Sequence, residues 1–351
     1  MRFMGPTVPP KYQSPFEESS LFARPAFSVV YAIAGRRLLI EAQDAWSAQV
    51  VSTLFDGWFL HLLPTNGRAS QDVTIKIRCG ESPPPVPEGF TAFEIALGGI
   101  CHTDGRTFHL AFNGSSIIIG SGRPSYVDVW IRERYDVGSK FLSQIISQSF
   151  SAALRRCGLF ELHSAGVVAP GHNKAVLIAG SSGSGKSTLT LQLAARGWNY
   201  LSDDTVLLEQ GRHGIEVHAL RRFFALTEQT IEAVQLPGLV SRASGLLKER
   251  VTPRDLFPQG QIQRCRPGTI FFTMLTGVAE SRVMRLTAAE AMTRLIRLCP
   301  WAAYDKPTAG KHLRVMAALA RDCVAFDFHA GTDVLKAQSR AADLLAGYVN
   351  T

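Results

Sequence analysis

The sequence predicts an α/β unit in the second half of the chain, preceded by a mostly antiparallel β unit. Three observations carry this expectation. Residues 175–179 are a continuous apolar run, residues 180–187 satisfy G-x-x-x-x-G-K-[ST], and residues 189–196 read as the first turns of a helix. A second short apolar run, 198–201, leads into Asp203 and Asp204. Before residue 137 the chain is a series of short β-rich runs separated by turn dipeptides. The expected division is a flexible lead over 1–20, a β-rich domain over 21–136 and an α/β domain over 137–351.

Taken in order, residues 27–34 are β-rich, Gly35-Arg36-Arg37 turns the chain, and 38–41 return, which reads as a hairpin. A helix is expected over 45–54. Strands are expected over 73–78, 93–96, 107–112, 116–120 and 126–132. Asn66-Gly67, Asp104-Gly105 and Asn113-Gly114 mark turns, and the proline-rich 81–89 is a loop. His61, His102 and His109 are scattered and read as structural or surface residues. Over 138–157, Phe141, Leu142, Ile145, Ile146, Phe150, Ala153 and Leu154 fall on one helical face, and Gly158 suits the helix end.

The α/β unit opens with strands over 162–168 and 174–179 around Pro170-Gly171, and His163 lies on the first of them. In the Gly-rich loop, Gly180, Gly183 and Gly185 free the backbone to turn its N–H groups around a polyphosphate. Ser181, Ser182 and Ser184 fill the positions between, and Thr188 follows at the start of a helix whose N-terminus adds partial positive charge. Lys186 has the reach for the β- and γ-phosphates, and the Ser187 hydroxyl is a ligand for Mg²⁺. The pattern therefore points to ATP with Mg²⁺. Asp203 and Asp204 follow a strand parallel to the first, at the end where open α/β sheets place their ligands. Neighbouring carboxylates at a strand end point to different sides, so one suits metal and the other a proton.

Beyond residue 206 the signal thins. Residues 215–220 are strand-like, Arg221 and Arg222 follow, and a helical run starts at Thr227. The arginines suit a phosphate clamp or a solvated strand end. Residues 237–260 read as a mobile loop over the site, and Arg264 and Arg266 are candidate cations on the acceptor side. Helices are expected over 286–298, with Thr287 and Glu290 as a capping box, over 308–321 and over 332–348, and a buried strand over 323–328. Asp327 ends a strand that imitates a Walker B segment. It is set aside because Asp203 and Asp204 already stand close to the Gly-rich loop.

The chain has 351 residues, 46% hydrophobic and 19% charged, a composition with ample core material. Its net charge of +8 is dispersed, without the basic run that would point to nucleic acid. The six cysteines lie far apart and form no zinc spacing, which suits free thiols in a reducing compartment. No apolar run reaches the ~18 residues of a membrane helix, and the N-terminus lacks a signal-peptide core. A cytoplasmic protein is expected, free to form a homo-oligomer.

Three stretches together resemble the catalytic core of HPr kinase/phosphorylase and its relatives. They are Leu-His-Ser-Ala-Gly-Val-Val at 162–168, Gly-Ser-Ser-Gly-Ser-Gly-Lys-Ser-Thr at 180–188 and Arg-Gly-Trp-Asn-Tyr-Leu-Ser-Asp-Asp-Thr-Val at 196–206. The resemblance is specific over about 160–208. It implies a P-loop kinase fold related to phosphoenolpyruvate carboxykinase, and a serine kinase activity. By matching position it implies Asp203 as base, Asp204 and Ser187 on Mg²⁺, Lys186 on the phosphates and His163 on the acceptor side. The bifunctional members carry an Ile-Glu-Ile-Arg-Gly signature, and residues 215–224 match it only in degenerate form. The chain looks more like the relatives with a different N-terminal half that act in small biosynthetic clusters.

The residues themselves leave three functions open. A kinase would move the γ-phosphoryl of ATP to the hydroxyl of a protein, peptide or small molecule. A transport-type ATPase would need a Leu-Ser-Gly-Gly signature and a distant Asp-Glu strand, and neither is present. A nucleotide-binding interaction protein would not need Lys186, Ser187 and Asp203 together.

Overall fold

The computed structural model describes residues 27–55, 58–63, 71–95, 98–122, 124–234, 249–257, 260–336 and 338–349. The expected lead over 1–20, the Asn66-Gly67 turn and most of the loop over 237–260 lie outside them. No helix among the described residues is long and apolar enough to cross a membrane.

The first sheet contains β1 (Phe27–Ile33), β2 (Arg36–Ala42), β3 (His61–Leu63), β4 (Val73–Cys79), β5 (Thr91–Ile95), β6 (Gly99–Thr103), β7 (Phe108–Phe112), β8 (Ser115–Gly120) and β9 (Ser125–Ile131). Their order is β3-β1-β2-β4-β9-β8-β7-β6-β5. The β1–β2 hairpin turns through Ala34 and Gly35, both at positive φ (47° and 74°), the twist that a two-residue hairpin turn needs. The centre of this sheet departs from an antiparallel plan, because β2–β4 and β4–β9 are parallel. Parallel neighbours need a crossover. Helix α1 (Ala45–Phe55) lies in the first and the β5–β8 meander fills the second. Helix α2 (Lys140–Arg156) packs on this sheet, with Leu142, Ile145, Ile146 and Phe150 buried against Ile75, Val127 and Val129. Ser139 caps its start, and Gly158 follows its end at φ 78°.

The second sheet contains β10 (Leu159–Leu162), β11 (Ser164–Val168), β12 (Lys174–Ala179), β13 (Asn199–Ser202), β14 (Val206–Gly211) and β15 (Gly214–Ala219). A separate ribbon of β16 (Phe224–Leu226) and β17 (Glu249–Val251) stands beside it, and β18 (Arg264–Leu275), β19 (Arg282–Leu286) and β20 (Val324–Ala330) complete the sheet. The order is β10-β14-β15-β18-β12-β11-β13, with β20 on β18 and β19 on β20. Helices α3 (Lys186–Ala195), α4 (Glu228–Val234), α5 (Pro253–Leu256), α6 (Ala288–Leu298), α7 (Trp301–Tyr304), α8 (Lys306–Asp322), α9 (Thr332–Lys336) and α10 (Gln338–Ala346) surround these strands. Of the closing helix expected over 332–348, residues 332–336 and 338–346 are helical. The expected capping box of α6 is present.

Period-two alternation builds two cores from one apolar strand. On β12, Val176 and Ile178 face Leu189, Leu193 and Leu345 of α3 and α10. Ala175, Leu177 and Ala179 face Leu295, Met316 and Leu319 of α6 and α8.

The two halves meet through side chains and backbone. Leu159, Leu207 and Leu220 join the core of the first sheet. The Phe59 N–H donates to Leu220 O at 2.9 Å, and Trp58 bridges to Arg221. Asp305, only 1% exposed, accepts from Arg156 Nη1 at 2.5 and 2.6 Å and from Arg155 Nε at 3.3 Å. Trp301 stacks under the Arg155 guanidinium. Removing the carboxylate that both arginines donate to would leave two desolvated cations short of their acceptor. Asp305→Asn is therefore expected to lower unfolding free energy by about 3–5 kcal/mol. Urea denaturation of the full chain checks this, and a loss below about 1 kcal/mol would mean that the arginines reach water or other acceptors.

Candidate functional site

Register brings the singled-out residues to one edge of the second sheet. Strand β11 is antiparallel to β12, with Ser164 opposite Ala179. Strand β13 is antiparallel to β11, with Ser202 opposite Gly166. β12 and β13 therefore run the same way, as expected, but β11 lies between them. The end of β12, the start of β11 and the end of β13 coincide, and so do Gly180, His163 and the Asp203-Asp204 pair. His163 is not on a strand. It stands at the break where the chain leaves the β14 ladder at Leu162 and enters the β12 ladder at Ser164.

The loop over 180–187 has the backbone that its glycines allow. Gly183 and Gly185 lie at φ 81° and 89°. A methyl group at Gly180 would come within 2.6 Å of Ser184 Oγ and 2.7 Å of Thr273 O. Ser181 and Ser182 are exposed, while Ser187 and Thr188 are half-buried at the first turn of α3. Lys186 folds back over the loop, and its Nζ donates to Gly180 O and Ser181 O, both at 2.8 Å. The same Nζ lies 3.0 Å from His163 Nε2.

His163 joins this lysine to the acidic pair, with Nδ1 3.4 Å from Asp204 Oδ1. Asp204 Oδ2 accepts from Arg221 Nη1 at 3.0 Å and from Thr205 Oγ1 at 3.3 Å. The two acids point to different sides. Asp204 keeps a partly exposed carboxylate, while Asp203 is fully buried. Asp203 Oδ2 accepts the Ala225 N–H at 2.9 Å, and Tyr200 Oη lies 3.5 Å from Oδ1. Burial pushes the Asp203 carboxyl up to about 6, with the Ala225 hydrogen bond opposing and the Asp204 charge adding to the rise.

The remaining candidates divide. Arg221 belongs to the site through Asp204. Arg222 turns away, donating to Leu60 O at 3.3 Å and lying over the Phe59 ring. Arg266 pairs in register with Lys174, at the opposite end of β12 from Gly180, about 20 Å away at the rise of a strand. Arg264 pairs with Glu216 on the β14–β15 hairpin. Neither is on the acceptor side. Asp327 is held by Arg294 through both carboxylate oxygens. Glu209, Glu216 and His218 come together on one face of β14 and β15, a grouping that the sequence reading did not single out. Its two carboxylates are met by Arg36 and Arg264, which makes it a balanced ion network.

The loop fits a polyphosphate. Ser181, Ser182 and Gly183 are open at its rim, and Ser184 Oγ is buried without a hydrogen-bond partner among the described residues. Ser187 and Asp204 are the oxygen donors suited to Mg²⁺.

No family model matches the chain, and no curated protein matches it. Among solved structures, the HPr(Ser) kinase/phosphatase from Coxiella burnetii aligns over 54% of this chain and 95% of its own, with 12% identity and a TM-score of 0.30. A TM-score at that level carries no argument about function.

The Asp203 carboxyl has a stability consequence with a definite sign. Its folded value of about 6 lies above the ordinary 3.8, so the folded chain holds this proton more tightly than the unfolded chain. The contribution is full below about pH 4 and is lost as pH rises through about 6, a span of roughly 3 kcal/mol at 1.36 kcal/mol per unit. Asp203→Asn keeps an acceptor for the Ala225 N–H and removes the ionisation. Its stability should gain on the parent's between pH 4 and 7 in urea titrations. Parallel profiles would show that the Asp203 carboxyl is not perturbed.

Proposed function

We propose that the chain is an ATP-dependent kinase that transfers the γ-phosphoryl group to a hydroxyl acceptor, a serine of a protein or peptide. One observation carries the reading: Lys186 of the Gly-rich loop and the open carboxylate of Asp204 meet through the His163 ring. That arrangement puts a phosphate-binding cation, a proton acceptor and an acid that orients it within hydrogen-bond reach of one another. The serine acceptor follows from the resemblance noted in the sequence.

The residues have distinct tasks. Lys186 exchanges the Gly180 and Ser181 carbonyls for β- and γ-phosphate oxygens. The loop N–H groups and Ser187 hold the polyphosphate end, with Ser187 and Asp204 the donors for Mg²⁺. That ion would supply charge neutralisation to the transferring phosphate. The acceptor oxygen bonds to the γ-phosphorus as the bond to the bridging β–γ oxygen breaks and ADP leaves. The acceptor proton needs a base facing the loop. With Nδ1–H donated to Asp204, the His163 Nε2 is that base once the Lys186 amine has moved to the phosphates. The sequence expectation gave this task to Asp203, but a carboxylate buried behind the Ala225 N–H reaches an acceptor only if that segment lifts.

Three variants test the reading. Lys186→Ala should abolish phosphate transfer from γ-labelled ATP to peptide or protein acceptors, and transfer at the parent rate would end the assignment. His163→Ala should retain Mg·ATP binding and lose transfer by roughly 10²- to 10⁴-fold, the usual scale of a general base. Asp203→Asn should keep most of the transfer rate. The reverse ranking of these last two variants would return the proton to Asp203.

A further inference from the structure

We infer that Leu275, the last residue of β18, and Val278, on the loop that follows, form the seat of the nucleobase. The inference rests on the nucleotide reading above and names a part of the site which that reading leaves open. It starts from direction. His163, Asp203 and Asp204 all lie on the β11–β13 side of β12. On the other side, β12 pairs with β18, and β18 pairs with β20. A nucleotide whose γ-phosphoryl faces His163 and Asp204 must send its nucleoside end the opposite way, over the end of β18.

That end carries an apolar surface that folding does not bury. Leu275 is 41% exposed and Val278 is 51% exposed. Single exposed aliphatic residues mean little by themselves. Here position and rigidity add to exposure. Leu275 lies against the Gly-rich loop, since a methyl group at Gly185 would come within 2.9 Å of its Cδ2. The segment is also pinned. The Thr276 N–H and Oγ1 both donate to Ala330 O, at 3.1 and 3.2 Å. Val278 O accepts from the Thr332 N–H at 2.8 Å, and Ala279 O from the Asp333 N–H at 3.2 Å. Ser281 Oγ donates to Asp333 Oδ1 at 2.6 Å. Gly277, at φ 69°, makes the turn within this stretch. A fixed aliphatic side chain beside the phosphate-binding loop, with Val278 on the pinned segment three residues on, is what a flat purine ring needs, because binding then orders no loop.

The test compares two ligands that share phosphates and differ in the base. The full chain is titrated by calorimetry with Mg·ATP and with magnesium tripolyphosphate, as parent, Leu275→Ser, Val278→Ser and the double variant. Each replaces an exposed side chain, and melting temperature checks that the fold is kept. The parent should bind ATP more tightly than tripolyphosphate. Each single variant should weaken ATP binding by about tenfold, the scale of losing a buried aliphatic contact, and leave tripolyphosphate unchanged. Val278→Ser separates the base contact from any disturbance of the Gly-rich loop through Leu275. Equal loss for both ligands, unchanged ATP affinity in the double variant, or a raised acceptor KM with unchanged ATP affinity would each overturn the inference. Failure of the parent to bind either ligand would instead overturn the nucleotide reading beneath it.

Discussion

The Lys186 amine is the contact on which the site depends. It donates to two carbonyls of its own loop and lies against the His163 ring, so helix, loop and strand break are held by one charged group. A buried ammonium demands such partners, because an unpaired one would be costly to desolvate. Phosphate oxygens satisfy the same demand. On the proposed reading, the loop is therefore shaped, before any ligand arrives, by an interaction that phosphate oxygens would replace group for group. Strand β11 makes this possible. By entering antiparallel between β12 and β13, it brings the residue before its own start to the edge where both neighbours end.

Much of this was legible in the sequence where the signal is local. Strand, Gly-rich loop and helix read directly, because glycine spacing and an apolar run require no distant partner. The same holds for α2 and for the Thr287 capping box. The divergence of Asp203 and Asp204 was expected too, although both lie in the bend just past β13 and not in the strand itself. Which of them faces inward was not, since that depends on the Ala225 N–H more than 20 residues on. Arg221 and Arg222 show the same limit: adjacent and chemically alike, they part because backbone pairing with Trp58 sets which one reaches Asp204. Arg266, a candidate acceptor-side cation from its place before an apolar run, enters β18 at the far end of the sheet.

Strands were missed where alternation was weak or the pairing was non-local. β6 contains Gly-Ile-Cys-His-Thr, and β19 contains Arg-Val-Met-Arg-Leu with mostly exposed side chains, so neither has a clean hydrophobic period. The parallel centre of the first sheet was hidden for another reason. β2, β4 and β9 each look like an ordinary short strand, and only the return of the chain through α1 and then through the β5–β8 meander makes them parallel neighbours.

The backbone bond from Phe59 to Leu220 reaches further than its length suggests. Phe59 follows α1, and Leu220 directly precedes the arginine that holds Asp204. The first half of the molecule therefore forms part of the wall behind the acidic pair. A cut at residue 137 would divide the sheets cleanly in sequence and still take a strand partner from that arginine. Chemistry written in the second half of the chain is thus not separable from the first, and whatever grips the β-rich half pulls on the same backbone that sets the open carboxylate.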